Sequence, residues 1–576
     1  MASQAEADAL AATRAAADEL LASAGCAALK VVAAELRRSL RTVADAQCAG
    51  GGGGGRVAAF AWREGSAWDA SARAEALEAW LPSAGIDCGG IVHPRGPDGL
   101  KSGGGCGVFL DEGAPELPPN TVVCEVPRQA MINSGARGRG PMLRALAAAL
   151  PIVDAVPSLG LTLRLLQECH RARASPWRAY IHALPPPQTL AAGDPDVAAR
   201  GGAFGVPLMF SDDALEVIEG SAAGVAVRRH WADFARQYCM CAEAADDENV
   251  VKGVPVGKRW PLLWDEFLWA AAIVMTRQNP LPDDSAAASA SASVEAAAGP
   301  GELALMPLLD YHNHAPAEAG GGSVAYDPER RAANVALGSR GGKPGEEVVI
   351  CYGQRPSDHL FLYGGFMADV KAEHDRVRLH VAFPFKYDDD KVRVRFHAPM
   401  RVSFPSLRAP ALTSLGNRVR ALARSRCARL RVRPLEQKRP FEGLCQALQV
   451  PTEGALEIGG TGRPRAELSR WLTAAVAAAG PAEAAVEKLR AIVAARASGS
   501  EALAELCAVW SKSAEAAMLA TLCRGALGSL SAATAARDSD GAGAAWDVRL
   551  ARQMVRRERA LLERAVAWAE EGLEAI

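Results

Sequence analysis

An amide, an imidazole and a phenol, on Asn313, His314 and Tyr352, stand where two apolar segments end, residues 306–314 and 346–353. Polar groups set beside a core cost free energy unless something pairs with them, so a ligand or a dedicated partner is implied. A phenol in that setting can hydrogen-bond a nucleophile or steady charge as it develops. The stretch Val348-Val-Ile-Cys-Tyr352 is short and β-branched, lies between Lys343-Pro-Gly345 and Gly353, and predicts a buried strand that delivers the tyrosine at its end. His312 and His314 would share one face of an extended segment. Two imidazoles with no nearby cysteine, and no carboxylate that the sequence shows approaching them, fall short of a metal site, and no metal is expected.

The elements that must position these groups are spread over 576 residues, more than one core ordinarily serves, so two or three domains are expected. Hydrophobic residues at 49% and charged residues at 23% give a globular balance, and a net charge of −2 supplies no general field for nucleic acid or an anionic membrane. The 13 cysteines are odd in number and scattered; with no secretory signal they predict reduced thiols in an intracellular setting. Residues 1–48 are alanine-rich with interspersed acids, which suits a long helix and not an import signal. The glycine run Gly50 to Gly55 then predicts a flexible linker, making 1–55 a separable leader. The apolar run from Phe267 to Met275 is too short to span a bilayer, so no membrane partner is expected. Cytoplasm or nucleus is the expected location, with the chloroplast ranked behind them for want of a transit peptide.

Residues 103–110, Gly-Gly-Gly-Cys-Gly-Val-Phe-Leu, read as a glycine loop entering a strand. Glycines expose backbone N–H and C=O groups to a ligand, although an ordinary turn has the same composition. Apolar spacing predicts helices over about 141–275, the last of them strongly apolar and stopping at Arg277, a cation suited to a helix C-terminus. The Ala/Ser-rich residues 281–300 predict a disordered loop, and Ala315 to Ser323, with Gly320 to Gly322 in a row, a second exposed loop. Beyond residue 371 a strand-like passage at 373–384 precedes helices, and the final helix places Leu550, Met554, Leu561, Ala565 and Trp568 along one stripe. The run from Arg418 to Arg433 holds seven arginines and no acid, either a solvated helix face or a dock for an acidic protein segment.

Taken together, the Asn313-His314 pair and the strand-end Tyr352-Gly353 resemble the two signatures of the SET-domain methyltransferases. With Asp310 three residues before Asn313 and a Gly-Phe ending at Phe366, the longer pattern is similar to the Rubisco large-subunit lysine methyltransferase branch, which also holds the actin-histidine methyltransferase. The resemblance runs from about Trp80 onward, with anchors at Gly105, Trp177, Arg277, Asn313 and Tyr352 in family order. It implies an α+β fold: a SET domain of small β-sheets with a pseudoknot over 75–370, carrying the helical insert at about 141–275, then a mainly α-helical substrate-binding domain over 371–576. It also implies S-adenosylmethionine as cofactor, held by Gly104, Cys106, Gly107, Arg277, Asn313, His314, Tyr352 and Phe366. Tyr352 would be catalytic, and Arg277, Asp310 and Tyr352 would face the substrate.

The activity so implied is protein N-methylation, with a lysine of a non-histone protein as the leading acceptor, a histidine as the second, and a binding scaffold without turnover as the third reading. A lysine must first lose a proton, which costs about 4.6 kcal/mol at pH 7, whereas an imidazole is mostly neutral. Two departures bear on that choice. Gly364-Gly365-Phe366 stands where lysine-specific relatives have Tyr-Gly-Phe, with Tyr363 displaced by one residue, and Ser357 stands where they usually have Asn. A wider pocket is expected. The expected partner is a protein substrate whose acidic segment docks on 418–433; a monomer is expected, and nucleic acid is not, because the arginine run lacks stacking aromatics.

Overall fold

The computed structural model describes residues 4–22, 70–89, 92–95, 107–185, 206–282, 302–368, 370–371, 373–382, 453–478, 512–534 and 546–574, with most of 35–43 and 441–451. Gly104, Cys106, the glycine linker, nearly all of the 281–300 loop and the arginine run 418–433 lie outside the described residues.

The principal helices are α1 (Gln4–Ala22), α2 (Ala70–Trp80), α3 (Pro157–Arg171), α4 (Arg178–Ala183), α5 (Ala222–Asp246), α6 (Trp264–Arg277), α7 (Ala466–Ala478), α8 (Lys512–Thr534) and α9 (Trp546–Glu574). The strands are β1 (Val92–Arg95), β2 (Gly107–Leu110), β3 (Val122–Pro127), β4 (Ile132–Asn133), β5 (Asn279–Leu281), β6 (Glu302–Leu305), β7 (Ser323–Asp327), β8 (Ala332–Ala336), β9 (Arg376–Ala382) and β10 (Glu453–Gly459). They form small antiparallel sheets: β1 with β2, β3-β8-β7, β4-β6-β5, and β9 with β10. Short strands in separate sheets leave much of the backbone to be satisfied by turns and bridges, and those bridges build the site.

Residues 346–351 form such a bridge, not the regular strand the β-branched run predicts. On one side Leu110 N–H donates to Glu346 O at 2.9 Å and Val348 N–H to Val108 O at 2.7 Å. On the other, Ile350 N–H donates to Asn313 O at 2.9 Å, Ala315 N–H to Ile350 O at 3.0 Å, and Cys351 N–H to Gly322 O at 2.8 Å. The segment therefore lies between β2 and residues 313–322, held by single bridges on both flanks. The loop expected over Ala315 to Ser323 is exposed at Ala317–Ala319 and Ser323 but not through its glycines. Gly321 and Gly322 are buried, and a Cβ on Gly322 would lie 2.2 Å from Ala336 O, so a glycine is required for the backbones to meet.

The insert is helical as its apolar spacing predicts, and α6 is buried on nearly every side, with Trp269 Nε1 donating to Pro185 O at 2.9 Å. Within the leader, α1 packs along α5: Leu10 and Ala17 are buried, Arg14 pairs with Glu243 at 2.7 Å, and Asp18 pairs with Arg236 at 3.1 Å. Its apolar face is mostly alanine, which in sequence looks like low complexity and in space permits close helix packing. The half-exposed ion pairs contribute little, about 0–1 kcal/mol each, so apolar contact carries the docking. Leu10→Ala is expected to cost about 2–4 kcal/mol and lower the thermal midpoint; an unchanged midpoint would show that α1 is dispensable.

A second core cluster joins α7, α8, α9, β9 and β10 to Phe210, Val227 and Phe361 of the preceding region. The stripe on α9 is observed for Leu550, Met554, Leu561 and Ala565, with Trp568 partly buried. Two buried carboxylates fasten the regions together. Asp375 accepts from Ser357 N–H at 3.0 Å and from Arg557 Nε at 2.6 Å. Glu558 accepts from the N–H groups of Ala222 and Ala223 at 2.9 and 2.8 Å, at the N-terminus of α5, and burial pushes its carboxyl up to about 7.

Candidate active site

Leu308 begins the site with an unusual backbone. It is fully buried at φ +68° and ψ −42°, a conformation that costs a non-glycine residue about 1–3 kcal/mol. The turn it opens contains one 3-10 turn, residues 309–311, and aims three groups in different directions. Asp310 points into the insert, where the hydroxyl of Tyr180 on α4 donates to Oδ2 at 2.5 Å and Arg277 Nε stands 4.0 Å away. Tyr311 donates its hydroxyl to Ala183 O, fastening the turn to α4 a second time. His312 is buried with Nδ1 at 3.1 Å from the carbonyls of Leu308 and Leu309, so Nδ1 carries the proton. Burial lowers that imidazole to about 4 and keeps it neutral.

Tyr352 arrives from the bridged segment. Its hydroxyl donates to His312 O at 2.6 Å, and its N–H donates to His314 Nδ1 at 3.1 Å. The residue is 37% exposed, yet its hydroxyl end is desolvated and burial pushes the phenol up to about 12. The rings of His314, Tyr352 and Phe366 gather around one point: His314 lies 5.0 Å from Tyr352 and 5.9 Å from Phe366, and Tyr352 meets Phe366 edge-on at 6.3 Å. Burial also lowers the His314 imidazole. Asn313 Nδ2 donates to Glu347 Oε1 at 2.7 Å, a charge-assisted bond across the two motifs.

The structure thus brings together Asn313, His314, Tyr352 and Phe366, with Arg277 and Asp310 linked to them through the Leu308 turn. Arg277 ends α6, its Nη1 donating to Thr276 Oγ1 at 2.8 Å and its carbonyl accepting from Asn279 Nδ2 at 3.0 Å. Gly107 opens β2, the strand that holds residues 346–348. Tyr363 turns away from the ring cluster, its hydroxyl 3.2 Å from His230 Nε2 on α5. A Cβ on Gly364 would lie 2.6 Å from the Phe366 ring, so Phe366 takes the space a side chain there would need. Sequence reasoning missed Tyr180, Glu347 and Asn279. Glu347 was readable as an acid beside the Val348 run, but Tyr180 meets a partner 130 residues away and carries no local signal. Among the described residues, no group of three or more His, Cys, Asp and Glu side chains is placed to hold a metal ion, and no helix is long and apolar enough to cross a membrane.

Tyr180→Phe tests the clamp on Asp310. Burial raises the Asp310 carboxyl to about 6, above its unfolded value, so the native state holds the extra proton between roughly pH 4 and 6 and loses stability as pH rises through that window. Removing the phenol donor is expected to cost about 1–3 kcal/mol at pH 8, a deficit that shrinks as pH falls below about 6 and the carboxyl becomes neutral. Thermal midpoints across pH measure it; a deficit independent of pH would assign Tyr180 to packing alone.

The fold is shared with solved SET-domain structures. Structures described as the SET domain of LSMT bound to lysine and AdoHcy, and as Rubisco LSMT bound to sinefungin and monomethyllysine, share the fold, with TM-scores of 0.54 and 0.55. The matches cover 87% of this chain and 91% and 92% of those chains, at 14% and 15% identity. In sequence the chain is similar to the actin-histidine N-methyltransferase of Dasypus novemcinctus, 27% identical over 260 residues, and to that of Homo sapiens, 28% identical over 236. These matches take in 44% and 40% of this chain but only 37% and 32% of the relatives' length. No protein-family model matches the chain. The resemblance read from the motifs is borne out in both its lines, sequence to one enzyme and fold to the other.

Proposed function

We propose that the chain is an S-adenosylmethionine-dependent protein N-methyltransferase. The observation that carries this reading is the meeting of Tyr352, His314 and Phe366 beside the Asn313–Glu347 bond, in a fold shared with Rubisco LSMT. When bound, the cofactor would supply a methyl group on a sulfonium, for a side-chain nitrogen to take as the S–C bond breaks and the sulfur leaves as a thioether. The residues present suit that group: the three rings of His314, Tyr352 and Phe366 would suit a cationic sulfur, and an amide paired with a carboxylate would suit an amino-acid tail. Buried Asp310 Oδ1 and His312 Nε2 have no hydrogen-bond partner in the protein, which leaves polar capacity at the same turn. Tyr352 commits its proton to His312 O, so its oxygen keeps lone pairs for weak C–H···O contacts that orient a methyl in line with the nucleophile.

A histidine side chain is the acceptor this reading favours. The curated relatives are named actin-histidine N-methyltransferases, and Tyr363 turns to His230 where a second phenol would otherwise narrow the site. A phenol pushed up to about 12 stays protonated and takes no proton from a lysine at neutral pH. Lysine is the second reading, supported by the lysine and monomethyllysine bound in the LSMT structures that share the fold. The pH profile separates them. Transfer to a histidine peptide is expected to level off above about pH 7, following an imidazole of reference pKa about 6.5. Transfer that climbs from about pH 7 to 9, on lysine peptides only, would overturn the histidine acceptor and keep the methyltransferase. The tyrosine titrates outside that window and leaves the profile to the acceptor.

A further inference from the structure

We propose that Cys88 and Cys124 are a modification site that closes into a reversible cross-strand disulfide. The placement follows from the backbone beside β3. Asp87 N–H donates to Glu125 O at 3.0 Å and Glu125 N–H donates to Asp87 O at 2.8 Å, an antiparallel bridge in which both bonds are exchanged. The next pair outward, Cys88 and Cys124, is then a non-hydrogen-bonded pair, with Cα atoms about 4.5 Å apart and side chains on one face. That spacing falls at the short end of the roughly 4.4–6.8 Å a disulfide spans. The two thiols are close enough for each to shift the other's proton affinity.

Their surroundings divide the work. Cys88 is partly exposed where the chain leaves the turn that follows α2, so a small oxidant reaches it, while Cys124 is buried in β3. The contact with Cys124 holds the Cys88 thiol below its ordinary range, although burial and the carboxylates of Asp87 and Glu78 oppose it; the same contact and burial push Cys124 well up. Cys88 is therefore the nucleophile and Cys124 the resolving thiol.

With a low-molecular-weight disulfide as oxidant, the Cys88 thiolate attacks one sulfur, breaking the small molecule's S–S bond and releasing one thiolate. Cys124 then gives up its proton and attacks Cys88 Sγ, releasing the second thiol. The protein loses two hydrogens and two electrons, and the oxidant leaves as two thiols. The new bond ties the approach to β1 onto β3. The β1–β2 hairpin lies downstream of that approach and bridges residues 346–348, so the link reaches the scaffold of Tyr352.

The full chain is incubated with oxidised glutathione, shown by circular dichroism to stay folded, then unfolded in denaturant with the alkylating agent, digested and examined by mass spectrometry. The expected result is a linked peptide pair joining residues 88 and 124, two hydrogens lighter than the separate peptides, with both thiols leaving the alkylatable pool together and returning on reduction. In Cys88→Ser, Cys124 is expected to stay alkylatable and unlinked. A folded wild type in which Cys88 keeps a glutathione adduct while Cys124 stays alkylatable would overturn the proposal, as would two unmodified thiols.

Discussion

Tyr352→Phe is expected to slow methyl transfer by about ten- to a thousandfold while cofactor affinity barely moves. The substitution keeps the ring, so the contacts with His314 at 5.0 Å and Phe366 at 6.3 Å survive. It removes the hydroxyl that donates to His312 O at 2.6 Å, and with it the oxygen proposed to orient a methyl. Losing that hydrogen bond costs the fold only about 0.5–1.5 kcal/mol. Single-turnover rates and calorimetric titration with S-adenosylmethionine separate the two effects. A rate within about twofold of wild type would reduce Tyr352 to packing, and an affinity loss matching the rate loss would make the hydroxyl a binding group.

Asn313→Ala is expected to weaken cofactor binding by about ten- to a hundredfold. A hydrogen bond to a charged group contributes roughly 1.5–3 kcal/mol, and each 1.4 kcal/mol is a factor of ten. In the protein alone Asn313 Nδ2 donates to Glu347 Oε1, so the alanine variant also leaves a half-buried carboxylate without that donor and is expected to melt earlier. Asn313→Gln places an amide one carbon further out, and recovery of stability without recovery of affinity would locate the effect at the ligand. Unchanged affinity in the alanine variant would remove Asn313 from the cofactor site.

Much of the site is legible in the sequence because its polar residues stand at the ends of apolar runs. Asn313, His314 and Tyr352 are found that way; the rings of His314 and Tyr352 meet, and Asn313 bonds to Glu347 beside them. Whatever depends on distant backbone is not legible. The run Val348 to Tyr352 has strand composition, but its neighbours in space meet it only at single bridges, which local pattern cannot reveal. A glycine run looks alike whether it faces water or admits a crossing chain, and Gly322 does the second. The alanines of α1 look like low complexity until α5 is seen beside them. Tyr180 lies on a short insert helix, and only the turn at Leu308 brings Asp310 to it.

Methyl transfer from labelled S-adenosylmethionine to protein is the most direct measurement. The purified chain is incubated with a cell extract and the labelled cofactor, and modified sites are mapped by mass spectrometry. The account predicts a discrete labelled protein, modified on a histidine, whose label is lost with Tyr352→Phe. No labelled protein from an active-site-intact chain that binds the cofactor tightly would contradict it and leave a binding scaffold in its place.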